Sequence, residues 1–499
     1  MIWHMKTEQK KLEGRLLKHA APELIDTAFK YEVNDSDVLI DGMSKADIAH
    51  TIMLLNGGII PSNEGKILLT ALLKLDQFSF EDYDFTPFFG DTYTNRENYL
   101  TKEIGSISGW LNVARARREC TTIGFLLAVR NRILELGNAL VGLSKSILEK
   151  VKENFETIMP DFTYLQYAQP TTLAHYLLTF EYSILRDFER LEQSYKRVNK
   201  SPAGCGSVNG SRMILNREML AELLGFNGLS THTRDAMWRT DIPLEVYSNI
   251  VCICINVNRL VEELQIWSSE GFKFIELSDS HCRTSVIMPQ KKNPYGLSYF
   301  RGLTGLIIGR LTGQASILKA ISGQPDNRIF TYGDLPRSID MVTDGIKLIS
   351  AIIHDLKVNK EVLKSHASMG FSCATDLAEI LMLKNKSDYK SVHSIIGRAV
   401  RLAMEAGLDN FDMELVNQAV REGGLKHELT QDEFDEIVNI TEIVNSRRGI
   451  GNASKDRVLE MWKECNAITN SFECLITQKI GSNQLAIEKL IKKAESICL

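Results

Sequence analysis

The chain is poor in proline, lacks a basic excess and contains no paired-cysteine motif. Eleven prolines in 499 residues leave the reaches 88–159, 244–288 and 337–499 without one. The nine cysteines are an odd number, spread along the chain with no C-x-x-C pair. That argues against a zinc site or a disulfide framework and suits a reducing, cytoplasmic compartment. Basic residues number 58 against 63 acidic, a net charge of -5. A nucleic-acid partner, which calls for a basic stripe, is therefore not expected. No run approaches the ~18 continuous apolar residues of a membrane span. The richest, Ile250 to Val257, is short and broken by Asn256, so no membrane partner is expected. Met1 to Lys11 is polar, without the apolar core of a signal peptide. No His/Cys/Asp/Glu cluster has metal spacing, and neither a metal nor another cofactor is expected.

What is present is helical pattern. Hydrophobic residues make up 44% of the chain and charged residues 24%, the balance of a globular protein able to bury a sizeable core. From Ile123 to Val151 apolar residues recur every three or four positions, the period of an amphipathic helix. Segments 172–198, 243–268 and 297–321 read the same way, and no convincing hairpin stands out. The expected fold is all-α, with long central helices that bundle. Composition breaks suggest three regions: 1–107, a central bundle 108–357, and 358–499.

One segment is chemically dense. Thr284-Ser-Val-Ile-Met-Pro-Gln-Lys-Lys-Asn-Pro294 packs hydroxyls, lysines and amides between two prolines. The prolines stiffen it and disfavour a helix. Cations and amides held between rigid points can meet an anion in fixed geometry; a solvated surface loop is the plain alternative. Gly204-x-Gly206-x-x-x-Gly210 is not a dinucleotide fingerprint, because its spacing is wrong and no strand precedes it. His281 is better read as a loop anchor than as an acid, and His175 as a packing residue.

The 278–294 loop resembles the signature loop of the fumarase/aspartase superfamily, and Met288-Pro-Gln-Lys-Lys-Asn-Pro294 resembles its argininosuccinate lyase branch. Other blocks follow in the same order. They are Asp47-Ile-Ala-His50, Gly109-x-Leu111 with Arg115-x-Arg117, Thr163-x-Leu165-Gln166, the glycine-rich turn Pro202–Gly206, and Ala374–Ala378 with His393 and Gly397. The resemblance implies a three-domain all-α fold with a central long-helix bundle. It also implies a homotetramer whose active sites are each shared by three chains. The implied activity is a carbon–nitrogen lyase that eliminates an amine from an N-substituted aspartate to release fumarate, or the reverse addition. The family's serine base matches Ser285. A free serine is too weak an acid for this work, so a nearby cation must stabilise its alkoxide; Lys291 is the candidate. Thr163 and Tyr164 would serve the leaving amine. Asn293, Arg117, Arg118, Gln290, Gln166, Tyr332 and Arg283 would bind a small anionic substrate.

The sequence also departs from the family. Tyr164 stands where the family has an acid/base histidine, and Ser298 where it has that histidine's glutamate partner. The first block reads Arg115-Ala116-Arg117-Arg118 instead of Arg-Ser-Arg-Asn, and Arg283 replaces a small residue. Asp334-Leu-Pro-Arg-Ser338 replaces the stretch that holds the amino-acid end of argininosuccinate, and Tyr332 is displaced by one position from a family tyrosine. Together these point to a different, more anionic N-substituted aspartate. A catalytically silent structural or regulatory relative, or a lyase expelling another nitrogen group, remains open.

Overall fold

The computed structural model describes residues 15–78 and 80–499; the N-terminal stretch considered as a leader lies outside them. The proline-free reaches are helical. In chain order the long elements are α1 (Ser36–Asn56), α2 (Ser62–Asp76), α3 (Thr92–Ile104), α4 (Arg117–Glu153), α5 (Leu173–Val198), α6 (Asp241–Trp267), α7 (Tyr295–Leu318), α8 (Asp334–Asp355) and α9 (Lys455–Cys498). Caps set their starts. Asp91 accepts from Thr94 N at 3.0 Å to open α3, and Thr172 accepts from His175 N at 3.1 Å to open α5. The all-α expectation holds, and the four central helices lie where the apolar period placed them.

α4 is the axis of the core. α8, α5, α1 and α9 pack along it, and α6 packs between α5 and α7. α1 crosses α4 closely: a Cβ on Gly42 would sit 2.7 Å from Gly124 Cα. Only paired glycines permit that approach. α6 is long and apolar enough to cross a membrane, which the run-length reading missed because polar residues interrupt it. Only half of its apolar stretch is buried within the chain.

The domain picture changes in two places. Residues of α1, α2, α4 to α8 and α9 share one continuous core, so the 1–107 region is not separately packed. At the other end a second core joins Leu377, Ile396, Val416 and Phe434. That module ends before α9, a 44-residue helix that returns to the bundle and buries Val458, Cys465, Phe472, Ile476 and Leu490 there. The 358–499 region is therefore a small helical module followed by a bundle helix.

Two hairpins depart from the expectation of none. Ile158–Thr163 pairs antiparallel with Gln166–Thr172. Its turn residues Tyr164 and Leu165 have φ of 54° and 58°. Two left-handed residues make a type I′ turn, which normally announces itself as Asn-Gly; Tyr-Leu gives no such signal. The second hairpin pairs Arg283–Thr284 with Lys292–Asn293 and carries the dense loop at its tip.

Candidate functional site

In the 283–293 hairpin, side chains alternate between two faces. Arg283 stands opposite Asn293, and Thr284 opposite Lys292. Ser285 directly follows the first strand and Lys291 directly precedes the second, where the chain leaves the ladder for the tip. The face of Lys292 anchors the hairpin. Lys292 pairs with Asp279 at 2.6 Å and Glu276 at 3.2 Å, and just before the hairpin His281 meets Asp355 at 3.0 Å. His281 is thus a loop anchor. Lys291 forms no ion pair among the described residues, so of two adjacent lysines one is committed and one is available. Ser285 Oγ accepts from Met288 N at 3.1 Å, and Lys291 N donates to Met288 O at 3.1 Å, which curl the tip. Gln290 is exposed at that tip. Arg283 lies over the Tyr295 ring, 5.3 Å from its centre.

Thr163, Tyr164 and Gln166 cap the other hairpin, all exposed, with Tyr164 98% exposed. Two consecutive left-handed non-glycine residues cost on the order of 1–2 kcal/mol each. Such strain persists only where the surroundings impose it. The strand pair just below the turn supplies the hold: Phe162 packs on Phe272 and Phe274, and Tyr167 bonds His366 Nδ1 at 2.7 Å. Arg447 ties Gln169 at 3.1 Å to Asp376 at 3.0 Å, fixing the C-terminal module to the same hairpin.

The third group opens α4. Buried Asp47 binds Arg96 at 2.8 Å and Arg115 at 2.7 Å. Burial raises its carboxyl pKa, but the two guanidinium groups outweigh that and hold it below the usual range. His50 binds Val113 O at 3.1 Å. Val113 and Arg115 are therefore pinned on both sides of Ala114, whose φ is 56°, and Arg117 and Arg118 follow in fixed register. Of the two extra arginines, Arg118 pairs with Glu32 at 2.7 Å, while Arg283 forms no ion pair among the described residues; Arg117 pairs with Asp91 at 3.2 Å. Glu119, the neighbouring acid, instead accepts from Gly204 N at 2.7 Å and Gly206 N at 2.6 Å. It locks the glycine-rich turn, where both glycines have positive φ, to the start of α4. Burial pushes Glu119 up to about 7, against those N–H groups and Arg115. Sequence reading missed Glu32 and this role of Glu119; the two glycines hinted at a turn needing a partner. Tyr332 is buried, its hydroxyl 2.8 Å from Thr122 and its ring on Phe125. It lies within the wall, and Ser298 is exposed on α7.

Among the described residues no hydrogen bond or ion pair joins the 283–293 hairpin, the 158–172 hairpin and Arg117–Arg118. None of the five described clefts is lined by Ser285, Lys291 or Thr163.

Known proteins resemble the chain along its whole length. A lyase family model matches residues 58–309, and one for the argininosuccinate lyase C-terminal region matches 371–445. The argininosuccinate lyase of Geobacillus sp. (strain WCH70) is 33% identical over 93% of this chain and 100% of its own length. That of Methanococcoides burtonii is 32% identical over 97% and 98%. Among solved structures, an EDDS lyase in complex with formate superposes with a TM-score of 0.87 at 26% identity, covering 96% of each chain. A class II fumarase from Schistosoma mansoni shares the fold at 14% identity, with a TM-score of 0.70 over 86% of this chain and 96% of its own.

Proposed function

Because the chain belongs to the argininosuccinate lyase family of the fumarase/aspartase superfamily, we propose that it is a carbon–nitrogen lyase releasing fumarate from an N-substituted aspartate, or running the reverse addition. The observation that carries this reading is the 283–293 hairpin, anchored through Lys292 and His281 and bringing Ser285, Lys291, which is in no ion pair among the described residues, and Asn293 together in one short loop. In the forward direction Ser285, as alkoxide, takes the proton from the carbon beside a carboxylate. Negative charge spreads into that carboxylate, and Lys291, Asn293 and loop N–H groups stabilise it. The C–N bond then breaks, the electron pair leaves with nitrogen, and fumarate remains. Thr163 or Tyr164 faces the departing amine, with Gln166 and Gln290 as neighbouring donors and Arg117 and Arg283 as carboxylate binders.

The site is assembled between chains. No hydrogen bond or ion pair joins the three polar groups among the described residues, and α6 and α7 leave Ile255, Leu306 and Ile308 exposed, each at least 40%. A half-buried helix as apolar as α6 calls for a partner, and a homotetramer would cover it. Asp334-Leu-Pro-Arg-Ser338 stands where the family holds the amino-acid end of argininosuccinate, and Tyr332 is committed to Thr122, so a different N-substituted aspartate is the favoured substrate. The test is the appearance of fumarate, read by its ultraviolet absorbance, from argininosuccinate and a panel of N-substituted aspartates. Release from at least one, lost in Ser285→Ala, is expected. No release from any would favour a silent relative.

A further inference from the structure

Away from these groups, α1, α4 and α9 enclose a cavity of about 570 Å³. At its floor Arg130 is 1% exposed. Its Nη1 donates to Asn199 Oδ1 at 3.2 Å, Leu224 O at 3.1 Å and Gly225 O at 2.9 Å, and Phe226 lies 5.1 Å from the guanidinium. Those carbonyl dipoles and the ring face offset part of its charge. Among the described residues no carboxylate pairs with it, buried Nε has no acceptor, and Nη2 makes no hydrogen bond. A buried, unpaired guanidinium is costly, and burial accordingly lowers its pKa to about 10. Asn483 lines the same cavity, and its buried Nδ2 also lacks an acceptor. The floor is therefore a set of donors without a partner. The mouth is net acidic: exposed Glu135 and Glu488 line it without an ion pair among the described residues, exposed Asp41 shares Lys45 (3.3 Å) with Asp76 (2.5 Å), and Leu134, Ile480 and Ile487 lie between.

We infer that this cavity binds a small α-amino acid as its zwitterion, the carboxylate on Arg130 and Asn483 and the ammonium toward the acidic mouth. A guanidinium matches a carboxylate in charge and in the planar geometry of its donors. A dianion such as phosphate would meet the unpaired carboxylates of Glu135 and Glu488 on entry, and a simple amine would meet Arg130. Only a molecule carrying both charges satisfies both ends, and the apolar strip accommodates a hydrocarbon side chain. The inference does not depend on the lyase reading, since none of these residues belongs to the groups described above.

The test is calorimetric titration of the full-length protein with L-leucine, glycine, acetate and ethylammonium. L-Leucine is expected to bind saturably, with acetate and ethylammonium about tenfold weaker or worse. Glu135→Gln combined with Glu488→Gln, on the exposed mouth, should keep the parent's melting temperature and weaken leucine. Arg130→Gln should abolish binding, and Asn483→Leu provides the floor variant if Arg130→Gln fails to fold. Three results would overturn the inference: no saturable binding of either amino acid, acetate binding as tightly as leucine, or leucine affinity unchanged in the mouth and floor variants.

Discussion

Glu181 gives the sharpest quantitative prediction about the bundle. It is fully buried between α4, α5 and α9, with Ser144 Oγ donating to its Oε1 at 2.6 Å and Thr469 at 3.4 Å. Among the described residues Oε2 has no hydrogen-bond partner and no cation pairs with it. Burial pushes its carboxyl from the ordinary 4.5 to about 7, against those two hydroxyls. A raised carboxyl keeps its proton in the folded state after the unfolded chain has lost it. Its stabilising contribution is thus complete below about pH 4.5, falls as pH rises, and is gone above about pH 7. At roughly 1.4 kcal/mol per pH unit, the loss across that window is on the order of 3 kcal/mol. Glu181→Gln resembles the protonated acid in shape and charge. It should match the parent near pH 4.5 and exceed it above pH 7.5 by about 2–3 kcal/mol. The assay is urea unfolding of both proteins at fixed concentration across this range. A difference between them that does not change with pH would refute the reasoning.

Other outcomes follow from the same contacts. Asp47→Asn leaves Arg96 and Arg115 buried without a counter-charge and should cost about 3–5 kcal/mol, seen as a large fall in melting temperature. Lys291→Met should cut fumarate release by about 10²-fold or more, whereas Lys292→Met breaks exposed pairs worth about 0–1 kcal/mol and should act more mildly, through loop order. Leu165→Gly relieves a left-handed residue and should raise stability by about 1 kcal/mol, measured by thermal unfolding. Separately inactive Ser285→Ala and Arg117→Ala proteins, unfolded and refolded together, should regain part of the activity if sites form between chains; activity no greater than in either alone would contradict sharing.

The long helices were legible because nothing interrupts them: between prolines 87 and 160, apolar residues at helical spacing leave one face to bury. The return of α9 to the bundle was not legible because its surface is polar, yet Val458, Cys465 and Phe472 repeat every seven residues and continue through Ile476, Leu490 and Ala494, a stripe that marks a packed helix. The 158–172 hairpin was hidden by a turn with neither glycine nor asparagine. The Ser285 loop was legible by composition, but its hairpin pairing was not, because it depends on the register of Arg283 with Asn293. Glu32 and Glu119 escaped because their partners, Arg118 and the 204–206 turn, are paired by the fold and not by sequence proximity.

The central claim is that Ser285 moves a proton at carbon while a C–N bond forms or breaks. The direct measurement is to incubate the protein with fumarate and an amine panel in deuterated water and to read the adduct by nuclear magnetic resonance. The account predicts an N-substituted aspartate carrying one deuterium, on a single face of the carbon beside the new C–N bond, and none from Ser285→Ala. No adduct with any amine, or the same labelled adduct from Ser285→Ala, would contradict it.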